Sequence, residues 1–316
     1  MFNLSKESIK ISKLIEHGEL SLKRAIELRW CLELKSGVIN FNPINKSQYK
    51  EKRIGKFLKR IIPDRILGKG ESMNDCKTPV FVYFKNNKDF NYNKTPKSQE
   101  LFRIKIKNLR YRFFVSNSPL SYSPHLLLVP FHNRSQFIRL CDIETIFNIL
   151  KDEKEFVFLY SSMGAGAGVN HMHIHLIAGR EPFPVMSAEK KIFFEKKGYR
   201  IEKFKNWPSD SYMFSGNTKK IIENSYKFIK FLQKNNVPHN IFIQKEEVWI
   251  NPRDRIFSKI MPNKKFGSWE VILGIFNACS VAEYNYINGI NFESILTEIK
   301  IRGRLKKRIE CMLAKL

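Results

Sequence analysis

The sequence predicts an α+β protein built around an antiparallel sheet with flanking helices. The chain has 316 residues, of which 43% are hydrophobic and 13% aromatic, and this is enough to bury a large core. Its centre contains short apolar runs typical of strands, and one segment whose apolar residues recur at helical spacing. The order of two strands, a helix and two more strands makes an antiparallel α+β unit.

The first 36 residues have a helical pattern. Apolar residues fall on one face of each of two segments, and Ser21 offers an N-cap before "LKRAIELRWCLELK". Gly37 ends this helix, and "GVINFN" then alternates as a strand does. The lysine-rich stretch 45–77 is predicted to be mostly loop, and "PVFVYF" (79–84) to be a short strand.

The central unit has the clearest pattern. "RFFVSNSPL" predicts a strand that leaves into a turn, and "PHLLLVP" a buried strand closed by Pro130. "CDIETIFNILKDE" predicts an amphipathic helix capped near Asp142. "EFVFLYSS" and "VNHMHIHLIA" (169–178) are the two strands that follow.

A second, looser round of elements follows the connector "FPVMSAEKK". It consists of a hairpin at 239–252, a strand at 269–276 and a closing helical region at 291–313. This order echoes the central unit and indicates an internal duplication with one degenerate copy. The predicted organisation is therefore a helical segment at 1–36, a half containing the histidines at 37–185, and a second half at 186–316.

The formal net charge of +26 admits a polyanionic partner, because a dense positive field attracts nucleic acid and anionic surfaces. The lysines are nevertheless spread along the chain, and only "EIKIRGRLKKRIE" (298–310) is dense, as a basic terminal helix. Nucleic-acid binding is therefore an alternative that the composition does not favour.

No stretch reaches the ~20 apolar residues of a membrane span, and the charged N-terminal segment lacks the apolar centre of a signal peptide. We therefore expect a cytoplasmic protein without a membrane partner. The five cysteines are odd in number, far apart and without a CxxC pair, which predicts free thiols.

Three of the seven histidines, His171, His173 and His175, lie within five residues, behind the glycine run "GAGAG". In a strand these side chains point to one face, about 6 to 7 Å apart, while the residues between them enter the core. A metal site is one interpretation, but this spacing suits two ligands better than three, and no nearby Asp, Glu or Cys completes a set. A purely structural strand is another, but it leaves the glycines without a purpose.

The third interpretation uses both features. Glycines let backbone amides approach an anion, and a histidine beside them could attack phosphorus. The pattern "SSMGAGAGVNHMHIH…PFP" resembles the histidine triad (HIT) superfamily, in the branch of galactose-1-phosphate uridylyltransferase. Within that branch it is most similar to the GDP-hexose phosphorylases, the family of plant GDP-L-galactose phosphorylase and animal GDP-D-glucose phosphorylase. Further blocks, "INFNP", "FNYNK", "VSNSPLSYSPHLLLVP", "VPHNIFI" and "WEVILG", keep the family's order from about Gly37 to Gly274.

The resemblance implies a HIT-like sheet in two halves, of which the second lacks the triad. It also implies that His173 is the nucleophile, that His171 orients it, and that His175 acts beside it. The implied substrate-binding residues are Ser162, Gly164, Gly166, Gly168 and Asn170, together with Asn117 and His125 on the nucleotide side, and Lys46. Neither a metal nor a cofactor is expected.

This chain departs from the family's pattern at three positions. His175 stands where the phosphorylases and the uridylyltransferase have Gln, and Gly168 where the family has a small hydroxyl residue. Ile44 and Asn45 replace a Gly-Arg pair, for which Lys46 is an imperfect substitute because an ammonium cannot reproduce a guanidinium fork. Arg180 and Arg253 also follow strands near the site, but exposed arginines in a chain this basic are weak evidence for a role.

The predicted function is cleavage of a nucleoside-diphosphate sugar, with GDP-hexose as the best guess, at the α-phosphate. The reaction passes through a nucleotidyl-histidine, and phosphate is the acceptor. The first alternative is a HIT-type hydrolase of dinucleotides or nucleotide conjugates, which His175 favours. The second is a nucleic-acid-directed HIT protein. The expected partners are thus a nucleotide substrate and phosphate, and the sequence leaves the oligomeric state open.

Overall fold

The fold is described from a computed structural model of the chain. The structure describes residues 6–39, 50–61, 92–116, 119, 121, 123–179, 183–254, 258–262, 264, 266–278 and 280–316. Two predicted substrate-binding residues, Lys46 and Asn117, lie outside these ranges, as do Arg180 and the predicted strand 79–84.

The described residues form eight α-helices and thirteen β-strands. The helices are α1 (Lys6–Glu16), α2 (Leu22–Lys35), α3 (Leu140–Asp152), α4 (Thr218–Lys234), α5 (Ser268–Val271), α6 (Val281–Tyr286), α7 (Gly289–Glu298) and α8 (Gly303–Leu313). The strands are β1 (Lys50–Ile54), β2 (Phe57–Ile61), β3 (Glu100–Ile106), β4 (Leu109–Val115), β5 (His125–Pro130), β6 (Phe156–Ser161), β7 (Ile174–Ala178), β8 (Lys190–Lys196), β9 (Tyr199–Phe204), β10 (Tyr212–Gly216), β11 (His239–Gln244), β12 (Glu247–Pro252) and β13 (Ile275–Ala278).

Ten strands form one antiparallel sheet in the order β3-β4-β5-β7-β6-β11-β12-β10-β9-β8. The remaining three form a small sheet, in which β13 runs parallel to β2. The large antiparallel sheet with flanking helices confirms the predicted α+β class. Ser21 caps α2 as predicted, because its side chain accepts a hydrogen bond from the backbone N–H of Arg24.

The ten-stranded sheet consists of two five-stranded sets with the same order of elements. Along the chain, each set runs as three strands, a helix and two strands: β3 to β5, α3, β6 and β7 in the first, and β8 to β10, α4, β11 and β12 in the second. The two sets meet where β6 pairs with β11. This repetition supports the predicted duplication, but the second set begins at Lys190 and not at the hairpin 239–252. The limits 37–185 and 186–316 stay a prediction.

The large sheet separates two hydrophobic cores. One face packs against α1, α2, α3, α4 and α8, with Ile146 and Phe228 fully buried between them. The opposite face packs against α5, α7 and the small sheet, around Trp249 and Phe292. Four aromatic residues of the central strands are buried: Phe113, Phe114, Phe156 and Phe158.

Within the stretch 45–77, predicted to be mostly loop, residues 50–61 form a hairpin of β1 and β2, and the rest of the stretch lies outside the described ranges. Phe57 is buried with its ring edge-on to that of Trp207, at a centroid distance of 5.3 Å. The buried ammonium of Lys59 donates hydrogen bonds to two carbonyl oxygens in the segment 284–287. The hairpin is rich in charged residues, so its sequence does not look like that of buried strands. The residues that bury it lie far away in the sequence, at 207 and 284–287.

Two predicted strands are not strands over most of their described residues. Residues 37–39 of "GVINFN" form a turn and a bend, and the rest of that segment lies outside the described ranges. The segment 269–276 is mostly α5 and a turn, and β13 begins only at Ile275. Glu270 explains the helical turn, because its carboxylate accepts a hydrogen bond from the backbone N–H of Gly267 at 3.0 Å and caps α5.

The closing helical region is confirmed as α7 and α8. The basic helix α8 packs on the fold: Ile309 and Leu313 are buried, and Lys306 forms an ion pair with Asp210 at 3.0 Å. Among the described residues, Cys31, Cys141 and Cys311 are free thiols. No helix in the described ranges is long and apolar enough to cross a membrane.

Candidate active site

The three histidines lie at the start of β7, on the sheet face opposite α3 and α4. His175 is the second residue of the strand, and His171 and His173 precede it, so the predicted strand 169–178 was too long. The rings nevertheless lie together. Tyr92 packs against His171 and His173 at centroid distances of 5.5 and 5.2 Å, and the rings of His173 and His175 are 5.4 Å apart.

The tautomer of His173 is fixed by its own backbone. Its Nδ1 lies 2.8 Å from the carbonyl oxygen of His171. A carbonyl oxygen can only accept, so Nδ1 carries the proton and Nε2 has the free lone pair. Burial lowers the pKa of His173 to about 4, although the hydrogen bond to His171 acts in the opposite direction. The imidazole is therefore neutral at pH 7, as a nucleophile must be.

His171 has the opposite tautomer. Its Nδ1 accepts a hydrogen bond from the backbone N–H of Tyr92 at 3.0 Å, so Nδ1 is unprotonated. Burial lowers its pKa to about 3, and the positive charges of Arg112 and Arg134 and the neighbouring His173 contribute further. This ring is thus held neutral, with its backbone carbonyl directed at His173.

His175 is paired with the predicted nucleotide-side residue His125. The Nδ1 of His175 lies 3.0 Å from the Nε2 of His125, so one of these nitrogens donates and the other accepts. His125 is buried, and its ring lies edge-on to Trp269 at a centroid distance of 5.6 Å. The pair can exist in two tautomeric arrangements, and these present either an N–H or a lone pair at His175 Nε2.

Gln136 holds the backbone of His173, and no sequence motif marks it. Its Oε1 accepts the N–H of His173 at 2.8 Å, while its Nε2 donates to the carbonyl oxygens of His173 and Ser161 at 3.1 and 2.9 Å. The Oδ1 of Asn170 accepts the N–H of Gln136 at 3.0 Å. This buried amide therefore supplies the bonds that an adjacent strand would otherwise provide, which is why β7 begins late.

The glycine turn 163–166 packs against the segment 266–267. Gly166 has φ +99°, and a Cβ added to it would lie 2.8 Å from the Cα of Gly267, so any larger residue would displace that backbone. Asn240, from β11, donates from Nδ2 to the carbonyl oxygen of Ala165 at 2.8 Å. The second five-stranded set thus fixes the turn of the first.

Arg253, which the sequence suggested would be exposed, is buried. Its guanidinium is fully buried and donates from Nη1 to the carbonyl oxygen of Phe266 and to Asn240 Oδ1, the latter at 3.3 Å. The carbonyl oxygen of Ala165 lies 3.4 Å from the same nitrogen. Burial lowers the pKa of Arg253 to about 9, and the nearby Glu270 carboxylate opposes that shift. The sequence does not reveal this burial, because two of the three acceptors are backbone oxygens and no motif marks them.

The other predicted binding residues differ in how far they are exposed to solvent. Ser162 is fully buried, and its hydroxyl accepts the N–H of His239 at 3.0 Å and donates to the carbonyl oxygen of Met163. Gly164 is buried, Gly166 and Asn170 are partly exposed, and Gly168 is exposed. Within the described ranges, no cluster of three His, Cys, Asp or Glu side chains could hold a metal ion.

No protein-family model matches the chain. The chain is 33% identical over 87 residues to GDP-L-galactose phosphorylase 1 of Arabidopsis thaliana, and 30% identical over 137 residues to GDP-L-galactose phosphorylase 2 of that plant. In structure, it matches yeast Ap4A phosphorylase Apa2 with a TM-score of 0.61 at 13% identity, over 90% of this chain and 96% of that one. The predicted resemblance is confirmed. The chain is similar in sequence to GDP-hexose phosphorylases and shares the fold of Ap4A phosphorylase.

The sequence matches cover 27% and 41% of this chain, and they span only 20% and 31% of the two plant relatives. Apa2 has been solved with Ap4A and with AMP bound, and at 13% identity the likeness to it shows the fold alone. The relatives are therefore nucleotide phosphorylases, and the substrate of this chain has to be argued from its own site.

Removing the Gln136 amide should destabilise the protein more than removing a buried glutamine elsewhere. Gln136→Ala leaves the N–H of His173 and two buried carbonyl oxygens without partners, so the free energy of unfolding should fall by about 2 to 4 kcal/mol. Gln233→Ala is the control, because this buried side chain donates one hydrogen bond, to the carbonyl oxygen of Ile138. Its cost should be about 1 kcal/mol. Equal losses in urea denaturation would show that Gln136 is not the clamp described.

The buried histidines should make the protein less stable as the pH falls. Burial lowers the pKa of His171 to about 3 and those of His173 and His239 to about 4, whereas the unfolded histidines titrate near 6.5. Between pH 6.5 and 4 the unfolded chain therefore takes up protons that the folded chain does not. For each unit by which the pH falls in this range, each histidine should lower the free energy of unfolding by up to about 1.4 kcal/mol. Denaturation measured from pH 7 to 5 should show this slope, reduced by one proton in His173→Gln; the same slope in both proteins would contradict the assignment.

Proposed function

We propose that the protein is a nucleotidyltransferase that cleaves a nucleoside-diphosphate sugar, with GDP-hexose as the best candidate. The proposed acceptor is inorganic phosphate, so the products are a nucleoside diphosphate and a hexose phosphate. The observation that carries the proposal is the orientation of His173, whose Nδ1–H is bonded to the His171 carbonyl oxygen at 2.8 Å. This leaves Nε2 with a lone pair.

In the first step, the Nε2 lone pair of His173 attacks the α-phosphorus. A phosphorus–nitrogen bond forms, and the bond from this phosphorus to the bridging oxygen breaks, releasing the hexose phosphate. The imidazole becomes cationic, and the His171 carbonyl oxygen stabilises the charge through the retained Nδ1–H. Because His173 is bonded in this way before substrate arrives, no reorganisation is required at that moment.

In the second step, an oxygen of inorganic phosphate attacks the same phosphorus. The phosphorus–nitrogen bond breaks, the nucleoside diphosphate leaves, and the electron pair returns to Nε2. Two successive displacements at one phosphorus predict ping-pong kinetics and retained configuration. The sequence similarity to GDP-L-galactose phosphorylases supports guanine and hexose as the substrate groups, over the segments that match.

A trapped intermediate would test the nucleophile directly. The purified chain, mixed briefly with GDP-glucose without phosphate, should gain the mass of one guanylyl group, and peptide mapping should place it on His173. His173→Ala should gain no mass and lose turnover by at least about 1000-fold, because a covalent step has lost its nucleophile. His132→Ala is the matched control, since His132 is exposed and outside the triad. It should behave as the unsubstituted chain does.

The same experiment should be repeated with uridine, adenine and cytosine nucleotide sugars and with Ap4A. An adduct with another substrate would change the substrate and keep the mechanism. Absence of both adduct and turnover across this panel, or an adduct on a residue other than His173, would reject the proposed function.

A hydrolase is the second candidate, and the His175–His125 pair favours it. A side chain that can accept a proton at His175 could activate water, and glutamine, which the similar phosphorylases have there, could not. The hydrogen bond of 3.0 Å between the two rings gives His175 a route by which such a proton could be shared. The acceptor would then be water, and a nucleoside monophosphate would be released.

His175→Gln should separate the two acceptors. If water is activated by His175, this variant should release nucleoside monophosphate in phosphate-free buffer at least about 100-fold more slowly than the unsubstituted chain. Its reaction with phosphate should continue, because phosphate carries its own nucleophilic oxygen. Chromatography of the products with and without phosphate gives both rates. Equal monophosphate release by the two proteins would exclude a role for His175 in hydrolysis.

The third hypothesis, a nucleic-acid-directed protein, gains less support. The basic helix α8 is anchored to the fold by Lys306 with Asp210 and by Glu310 with Lys203. These contacts describe a packed helix and not a free basic arm.

A further inference from the structure

Arg112 is a buried cation on the sheet face that carries the triad. It lies on β4 and pairs with Val129 of β5, while the preceding and following residues, Tyr111 and Phe113, point into the helix-side core. Its guanidinium lies 5.3 Å from the centre of the Phe114 ring. Arg112 therefore points into the same layer as the histidines.

Among the described residues, two hydrogen-bond donors of the Arg112 guanidinium have no acceptor. The residue is 4% exposed, and within the described part of the chain its Nε and Nη2 atoms have no hydrogen-bond partner. These two N–H groups lie on the same edge of the planar group, and this edge matches two oxygens of a phosphate or carboxylate. Buried donors are normally satisfied, so two unsatisfied ones on a single cation indicate a ligand.

Among the described residues, the carboxylate that acts electrostatically on Arg112 is that of Glu100, and it is already paired with another arginine. Glu100 bonds the guanidinium of Arg103 through both carboxylate oxygens, one of them at 3.1 Å. Arg103 is the cross-strand partner of Arg112. Two guanidinium groups thus face one carboxylate, and an excess positive charge remains on this side of the site.

The sheet register places this charge beside the nucleophile. Arg112 is opposite Val129, and β5 pairs with β7 through Leu127 opposite His175 and Leu128 opposite Ile174. Continuing this register by one residue brings His173 level with Val129, two strands from Arg112, which is about 10 Å between backbones. The charge of Arg112 is also close enough to lower the pKa of His171. Arg112 and His173 therefore lie on the same face of the sheet.

The surface between Arg112 and His173 is apolar. Tyr92, Phe114 and Val129 form a small buried cluster there, with Leu127 and Val169 packed against it. A low-dielectric floor strengthens the attraction between a guanidinium and an anion above it, and supplies no competing acceptor. An anion held at Arg112 would therefore lie next to the group that His173 attacks.

We infer that the Nε and Nη2 edge of Arg112 binds the phosphate adjacent to the α-phosphate of the nucleotide. This inference rests on the proposed function and assigns the second phosphate a place in it. In the first step that phosphate belongs to the departing hexose phosphate, and in the second it is the attacking inorganic phosphate. Arg112 then supplies, from β4, the guanidinium fork that the sequence lacks beside Lys46.

Binding of nucleoside mono- and diphosphates separates this contact from the rest of the site. Calorimetric titration of the full chain with GMP and GDP, and with AMP and ADP, gives a diphosphate-to-monophosphate affinity ratio for each base. Arg112→Gln should lower the affinity for the diphosphates by about 10- to 100-fold and leave that for the monophosphates within about threefold. Arg112→Lys should lie between, because an ammonium keeps the charge and loses the fork.

Arg110→Gln is the matched control. Arg110 is exposed on the same strand, two residues away, and its substitution should leave the ratio unchanged. An Arg112→Gln ratio equal to that of the unsubstituted chain, whether both affinities persist or both fall, would overturn the inference. If turnover through His173 persists in that case, the proposed function survives alone. A changed ratio without any turnover would support the phosphate contact and reject the function, and failure of every nucleotide to bind would reject both.

Discussion

The chemistry proposed for this protein depends on one hydrogen bond, from the Nδ1–H of His173 to the carbonyl oxygen of His171. It fixes the tautomer, and it exists only while the backbone between these residues keeps its shape. Neither residue belongs to a strand, so the sheet does not hold this backbone. The side chain of Gln136 accepts the backbone N–H of His173 at 2.8 Å, and the backbone N–H of Tyr92 bonds the His171 ring at 3.0 Å. The proposed nucleophile is therefore positioned by two segments that are distant from it in sequence.

The second five-stranded set has no triad, but it is part of the site. Where β6 and β11 pair, Asn240 holds the carbonyl oxygen of Ala165 in the glycine turn, and the backbone N–H of His239 bonds the Ser162 hydroxyl. Arg253 joins Asn240 to the segment that packs against Gly166. Contacts from the second set therefore fix the glycine turn that precedes the histidines in sequence.

The sequence alone predicted the fold class, the central strands and helix, the triad and its family resemblance, because these depend on local periodicity and on one compact motif. It failed where distant residues decide the outcome. The hairpin of β1 and β2 is buried by residues from the C-terminal half, and Gln136 and Arg253 act through backbone oxygens that no motif marks. Three resemblance blocks nevertheless converge on the site, through Tyr92, Asn240 and Trp269. The shared order of these blocks therefore indicated residues that lie close together in the fold, although their separation in the sequence could not show it.

The buried arginines differ in whether the protein supplies hydrogen-bond acceptors for their guanidinium groups. Four arginines are buried among the described residues: Arg29, Arg60, Arg112 and Arg253. Arg29 and Arg60 are paired with carboxylates, and Arg253 donates to carbonyl and amide oxygens. Burial of a cation is tolerated when such partners replace its hydration, and folding alone accounts for these three. Folding does not account for Arg112, whose Nε and Nη2 atoms have no hydrogen-bond partner among the described residues. This side chain lies on the sheet face of the triad, and the binding of an anionic substrate there would satisfy both donors.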